Sequence, residues 1–204
     1  MAGVEVWFIR HGETDWNRED RILATTEVPL NAVGREQARR LGARLAKDDV
    51  RFDEVVTSNL GRARETAALA FPNRAVRVEP RVRELDYGVF EGHRWSDLTG
   101  DLARQATEWR TDPYRRRAPG GESYDDVIER VEAFRRSLPG GSHVAVVSHG
   151  GTIRCALYAA MRRPARGVWS LEIENTGVSR IRYADDAVTL VTLNDHAHLG
   201  VGSR

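Results

Sequence analysis

Two segments of this 204-residue chain repeat one design, and that repeat restricts the fold more than any other feature. Val6-Trp7-Phe8-Ile9-Arg10-His11-Gly12 is an apolar run ending in His-Gly. Val144-Ala145-Val146-Val147-Ser148-His149-Gly150-Gly151 does the same 138 residues later (149 − 11). Short apolar runs closed by glycine read as buried strands. Ligands of open α/β sheets lie beyond the carboxyl ends of the strands. Both histidines are therefore expected to face one crevice. The glycines let backbone N–H groups come close to a ligand, and the helix expected after Gly151 turns its positive end toward an anion.

The rest of the chain alternates in a way that fits such a sheet. Ala38, Leu41 and Leu45 keep helical spacing, which predicts a helix over about 35–47. Strands are expected at Glu54–Thr57, Ala75–Val78 and His143–Ser148, with a helix at Leu60–Ala70. A further helix is expected over Leu102–Trp109. Ser123 followed by Asp126 opens a helix through Val127, Val131 and Phe134, and Pro139-Gly140-Gly141 ends it. Val178–Tyr183 and Val188–Leu193 read as strands around an Asp185-Asp186 turn. Residues 13–33 are expected to form a loop. The architecture predicted is α/β: a three-layer sandwich with a largely parallel central sheet and helices on both faces, in a single domain over 1–204.

Several chemistries are excluded by what is missing. His11-Gly12-Glu13 matches the H-x-E half of a zinc deaminase site, but the P-C-x-x-C half needs cysteines, and Cys155 is the only one. H-E-x-x-H, Walker and G-x-S-x-G motifs are absent. No metal ligand set and no cofactor are expected. Lys plus Arg number 31 against 30 Asp plus Glu, so no net field draws nucleic acid or a membrane surface. The single cysteine and the lack of a basic, apolar leader point to the cytoplasm.

Further along, the chain resembles a known family. Arg10-His11-Gly12-Glu13-Thr14-Asp15-Trp16-Asn17 is similar to the signature of the histidine phosphatase superfamily, in its phosphoglycerate-mutase-like branch. The likeness extends through Ser58-Asn59-Leu60-Gly61-Arg62, Glu84-Leu85-Asp86-Tyr87-Gly88, Phe90-Glu91-Gly92, Pro119-Gly120-Gly121-Glu122-Ser123 and Ser148-His149-Gly150-Gly151, in family order. The resemblance implies that His11 accepts the phosphoryl group, with its other ring nitrogen held by a backbone carbonyl. Arg10, Arg62 and His149 would form a cationic cage, Asn17 a neutral donor, and Glu84 the general acid and then base. Arg21 and Gly150 are further phosphate or substrate contacts. Tyr87 and Glu122 are expected at the rim. Arg64, two residues past Arg62, is expected on the surface.

The loop after Asn17 departs from the mutase pattern. Leu23 and Ala24 stand where mutases carry a hydroxyl and a glycine, although Ala24 keeps a backbone N–H. The span from Glu84 to His149 is also short for a covering insertion. The expected activity is hydrolysis of a small phosphorylated metabolite, with cofactor-dependent phosphoglycerate mutase as the alternative. The partner expected is a small-molecule phosphate ester, with homodimer formation left open. Arg94 and Arg115 to Arg117 are equally suited to a substrate anion or a solvated loop, and His196 and His198 lie in the tail.

Overall fold

A computed structural model of the chain describes residues 3–161, 171–185 and 187–200. Six strands form one sheet: β1 (Val4–Arg10), β2 (Glu54–Thr57), β3 (Val76–Val78), β4 (His143–Ser148), β5 (Val178–Tyr183) and β6 (Val188–Asp195). Their order is β3-β2-β4-β1-β5-β6. The pairs β3–β2, β2–β4 and β4–β1 are parallel, whereas β5 and β6 add an antiparallel hairpin at one side. Asp186 of the expected hairpin turn lies outside the described residues.

The helices are α1 (Asp15–Arg18), α2 (Ala32–Lys47), α3 (Gly61–Ala70), α4 (Gly100–Thr111), α5 (Tyr124–Arg136) and α6 (Gly150–Met161). Strand side chains alternate between faces, and here both faces are buried. Ile9, Val55, Ala145 and Val147 pack with Leu41 and Leu45 of α2 and Ala63 and Ala67 of α3. Phe8, Val56, Val144 and Val146 pack with Val127, Val131 and Phe134 of α5 and Ile153 and Leu157 of α6. The central strands thus separate two cores, which makes the sandwich of three layers.

Local signals explain most boundaries. Ser123 and Asp126 form a reciprocal capping box at the start of α5. The bounds of β3, α3, α4 and β6 differ from expectation by one or two residues, and two larger differences have a visible cause. Helix α2 starts at Ala32, because the Asn31 side chain accepts from Gly34 N. Helix α1 sits inside the expected loop, held by a capping box between Thr14 and Asn17. Four residues are too few for a hydrophobic period to register.

Candidate active site

The parallel register of β1 with β4 sets Arg10 opposite Ser148, so the residues that follow leave the sheet side by side. His11 N donates to Ser148 O at 2.9 Å. The His11 and His149 ring centroids are 5.1 Å apart, which places both imidazoles in one crevice as the sequence suggests. Gly12 is required here for a steric reason. A Cβ on it would lie 2.3 Å from Gly34 O at the start of α2.

His11 is buried, and its Nδ1 lies 2.7 Å from Gly12 O. A carbonyl only accepts, so Nδ1 carries the proton and Nε2 keeps a lone pair. That lone pair accepts from Arg62 Nε at 3.3 Å. Burial first, then Arg62 and Arg10, hold the His11 imidazole well below its usual value.

Arg62 is fully buried at the start of α3, and Arg64 is exposed. The Arg62 guanidinium also donates to Ala24 O at 2.6 Å and Thr26 O at 3.1 Å. Glu91 builds the loop that supplies those carbonyls. Its carboxylate accepts from Ala24 N and Thr26 N, both at 2.8 Å, and from Thr25 Oγ1 at 3.1 Å. The backbone N–H that Ala24 keeps is therefore already committed to Glu91.

Arg10 donates from Nη1 to Ile173 O at 2.6 Å, while its Nε is buried with no hydrogen-bond partner. Burial, then Arg154, pushes Arg10 down to about 10, which leaves it charged at neutral pH. His149 does not match the cationic role. Burial, then Arg62 and His11, hold it well below the usual imidazole value, so it is a neutral ring here. Its Nε2 lies 2.8 Å from Ser58 Oγ, and its Nδ1 is buried without a partner.

Glu84 is buried at the start of α6. Its carboxylate accepts from Gly151 N at 3.2 Å, Thr152 N at 2.9 Å and Leu85 N at 2.8 Å. The positive end of α6 therefore holds the Glu84 carboxylate through the Gly151 and Thr152 N–H groups, where an outside anion was expected. Gly151 permits this approach, since a Cβ there would sit 2.7 Å from Glu84 Oε1. Glu84 is not a salt-bridge partner of its arginine neighbours: Arg81 pairs with Glu79 and Arg83 with Glu122. Arg130 fastens the Glu84 segment from α5, donating to the Arg81, Arg83 and Glu84 carbonyls and pairing with Glu122.

Other expected contacts are distributed unevenly. Asn17 Oδ1 accepts from Thr14 N and Asn175 Nδ2, which turns the donor half of its amide away from the capping box. Gly150 borders the crevice, because a Cβ on it would lie 3.6 Å from Arg10 Nε. Arg21 stacks 4.1 Å from the Trp16 ring and donates from Nε to Gly92 O, so its guanidinium is held by those two residues. Tyr87 and Glu122 are not rim residues. Tyr87 is buried against Trp95 and Trp109, with its hydroxyl beside Gly151, and Glu122 is taken up by Arg83 and Arg130. Arg94 donates to Glu19 O and Arg117 pairs with Asp126, the solvated role of the two weighed for them; Arg115 and Arg116 are exposed. His196 is exposed, whereas His198 Nε2 lies 2.8 Å from Thr176 Oγ1.

Sequence reasoning gave no role to Ser58, Glu91, Arg130 or Asn175. Asn175 Nδ2 donates to His11 O at 3.0 Å across 164 residues, and nothing local to Asn175 signals it. Among the described residues, no three His, Cys, Asp or Glu side chains gather in a metal-binding group. No described helix is long and apolar enough to cross a membrane.

The comparisons with known proteins agree with this geometry. Residues 6–196 match the model of the histidine phosphatase superfamily (branch 1). A Salmonella choleraesuis protein named "Probable phosphoglycerate mutase GpmB" is 33% identical over 187 residues, covering 89% of this chain and 86% of the relative. The crystal structure of the α-ribazole phosphatase from Shigella flexneri superposes with a TM-score of 0.81 at 30% identity, covering 94% of this chain and 96% of that one. A mycobacterial glucosyl-3-phosphoglycerate phosphatase, solved with VO3, gives 0.80 at 28% identity, covering 93% and 98%. A matching strand-end histidine pair, the buried Arg62 at His11 and one superfamily model over nearly the whole length lead to one conclusion: the chain belongs to the histidine phosphatase superfamily, branch 1.

Proposed function

We propose that the protein is a phosphomonoesterase that hydrolyses a small phosphorylated metabolite through a phosphohistidine on His11. One observation carries the reading. Arg10 Nε and His149 Nδ1, beside the His11 imidazole, are buried polar atoms without a protein partner. Buried polar atoms left unpaired are costly unless a ligand completes them. A phosphoryl group has the charge and the acceptor oxygens to do so.

In the first step His11 Nε2 attacks phosphorus and forms the N–P bond. The P–O ester bond breaks with its electron pair on the leaving oxygen, which takes a proton from Glu84. Water then attacks phosphorus, gives its proton to Glu84, and the N–P bond breaks to release inorganic phosphate. Arg10, Arg62, Asn17 and His149 would stabilise charge on the equatorial oxygens.

Hydrolysis is favoured over mutation by the loop over 22–27. A mutase must grip the carboxylate of its substrate while the phosphoryl group returns. Here Leu23 and Ala24 are buried, and the Ala24 N–H, Thr25 hydroxyl and Thr26 N–H are spent on Glu91. The mutase reading draws on the Salmonella relative's name. Incubation with 3-phosphoglycerate and a 2,3-bisphosphoglycerate primer decides between them. Inorganic phosphate is expected as the product, if any forms. Rapid appearance of 2-phosphoglycerate without phosphate release would reverse the assignment.

Two further results are expected. Glu84→Gln removes the proton donor, so hydrolysis of alkyl phosphates should fall about 10²-fold or more, and that of p-nitrophenyl phosphate far less. Equal losses would leave Glu84 a structural role only. The second concerns pH. The nucleophile is the neutral ring, and the depressed value of His11 keeps that form present well below pH 6.5. The acid limb of kcat/KM that belongs to His11 should therefore lie well under 6.5. A limb centred at or above 6.5 that vanished with His11 would contradict this.

A further inference from the structure

Ser58 joins β2 to α3 and is fully buried, at 0% exposure. Its N–H donates to Val147 O at 3.0 Å, two residues before His149, so its place against the end of β4 is fixed. Its hydroxyl has two described neighbours. Leu60 N donates to Oγ at 3.2 Å, and His149 Nε2 lies 2.8 Å away. A hydroxyl offers one proton and two lone pairs. Leu60 N–H occupies a lone pair, and His149 Nε2 is the acceptor within reach of the proton.

Building on the phosphohistidine reading above, we propose that Ser58 is a positioning residue: its hydroxyl donates to His149 Nε2 and keeps the His149 proton on Nδ1. Nδ1 is the ring nitrogen without a protein partner, so this tautomer turns an N–H toward the phosphoryl oxygens. The other tautomer would leave Nδ1 as a lone pair facing an anion and would strip the Ser58 proton of its acceptor. The hydrogen bond at one ring nitrogen decides what the other can do. The two histidines need opposite outcomes. Gly12 O accepts from His11 Nδ1–H, which keeps the proton there and leaves a lone pair at Nε2 for attack. Ser58 gives His149 the same proton position but presents the protonated nitrogen to the ligand.

The test is ¹⁵N NMR of the full chain labelled at histidine, with and without orthovanadate, alongside steady-state kinetics. Wild-type His149 should show a protonated Nδ1 and an unprotonated Nε2, and vanadate should shift the Nδ1 proton. In Ser58→Ala the two tautomers should mix. For that variant kcat should fall about 100-fold, the scale for losing one aligned donor to a developing oxyanion, with a smaller change in KM. Ser58→Thr, which keeps the hydroxyl, should restore most of the rate and the wild-type tautomer. A wild-type His149 protonated on Nε2 overturns the proposal, whether or not the alanine variant folds. So does a Ser58→Ala protein with wild-type kcat. The NMR reading does not depend on turnover, so a wrong tautomer and a failed phosphohistidine trap are separate results.

Discussion

His11→Ala should abolish the covalent intermediate and lower the phosphatase rate by about 10⁴-fold or more, the scale seen when a nucleophile is removed. His11 is the imidazole in the crevice whose Nε2 lone pair is held toward Arg62, because Nδ1 keeps its proton and donates it in a hydrogen bond to Gly12 O. His149 is 5.1 Å away between ring centroids, but its Nε2 is engaged by Ser58. Brief exposure to ³²P-labelled substrate followed by denaturation should trap label that is acid-labile and base-stable. That label should vanish in His11→Ala while thermal unfolding shows the variant still folded. Label retained on His149 or on a serine would reject His11 as the acceptor.

Arg62→Lys should cost about 10³-fold in kcat and also lower the melting temperature. The guanidinium bonds three acceptors at once: His11 Nε2, Ala24 O and Thr26 O. An ammonium is a point charge on a flexible stem and cannot satisfy that planar fork. Losing one carbonyl's partner in the buried site costs about 1–3 kcal/mol. Burial already lowers the Arg62 value, and a lysine in the same place would surrender its proton more readily. The second loss would be the charge itself. Steady-state kinetics at several pH values, together with a thermal melt, would read both effects. A lysine variant with wild-type kcat and stability would mean that Arg62 is neither a phosphate ligand nor a fastener of the 22–27 loop.

The histidine pair and the layers around it are legible in the sequence because their causes are local. Apolar runs at Val6 and Val144 have to be buried, and glycine follows where the backbone must come close. The buried faces of α2 and α5 follow from helical spacing, and Ser123 with Asp126 marks the start of α5 without any tertiary information. Arg62 could be separated from Arg64 on the same grounds, since two residues of helix turn the side chain away.

What only the tertiary structure decided are partnerships between segments far apart in the chain. The sequence pattern leads to an α/β sheet with His11 and His149 at two strand ends, and the family resemblance adds Arg10, Arg62 and Glu84 as companions. It could not show that the α6 N–H groups of Gly151 and Thr152 are taken by Glu84, or that Tyr87 is a core residue. Nor could it show that His149 is neutral, because burial and the neighbouring Arg62 set that balance. Asn175 meets His11 across 164 residues, and Glu91 reaches Ala24 across 67. Periodicity and capping act over a few residues, whereas a buried polar atom takes whichever partner the assembled layers bring to it.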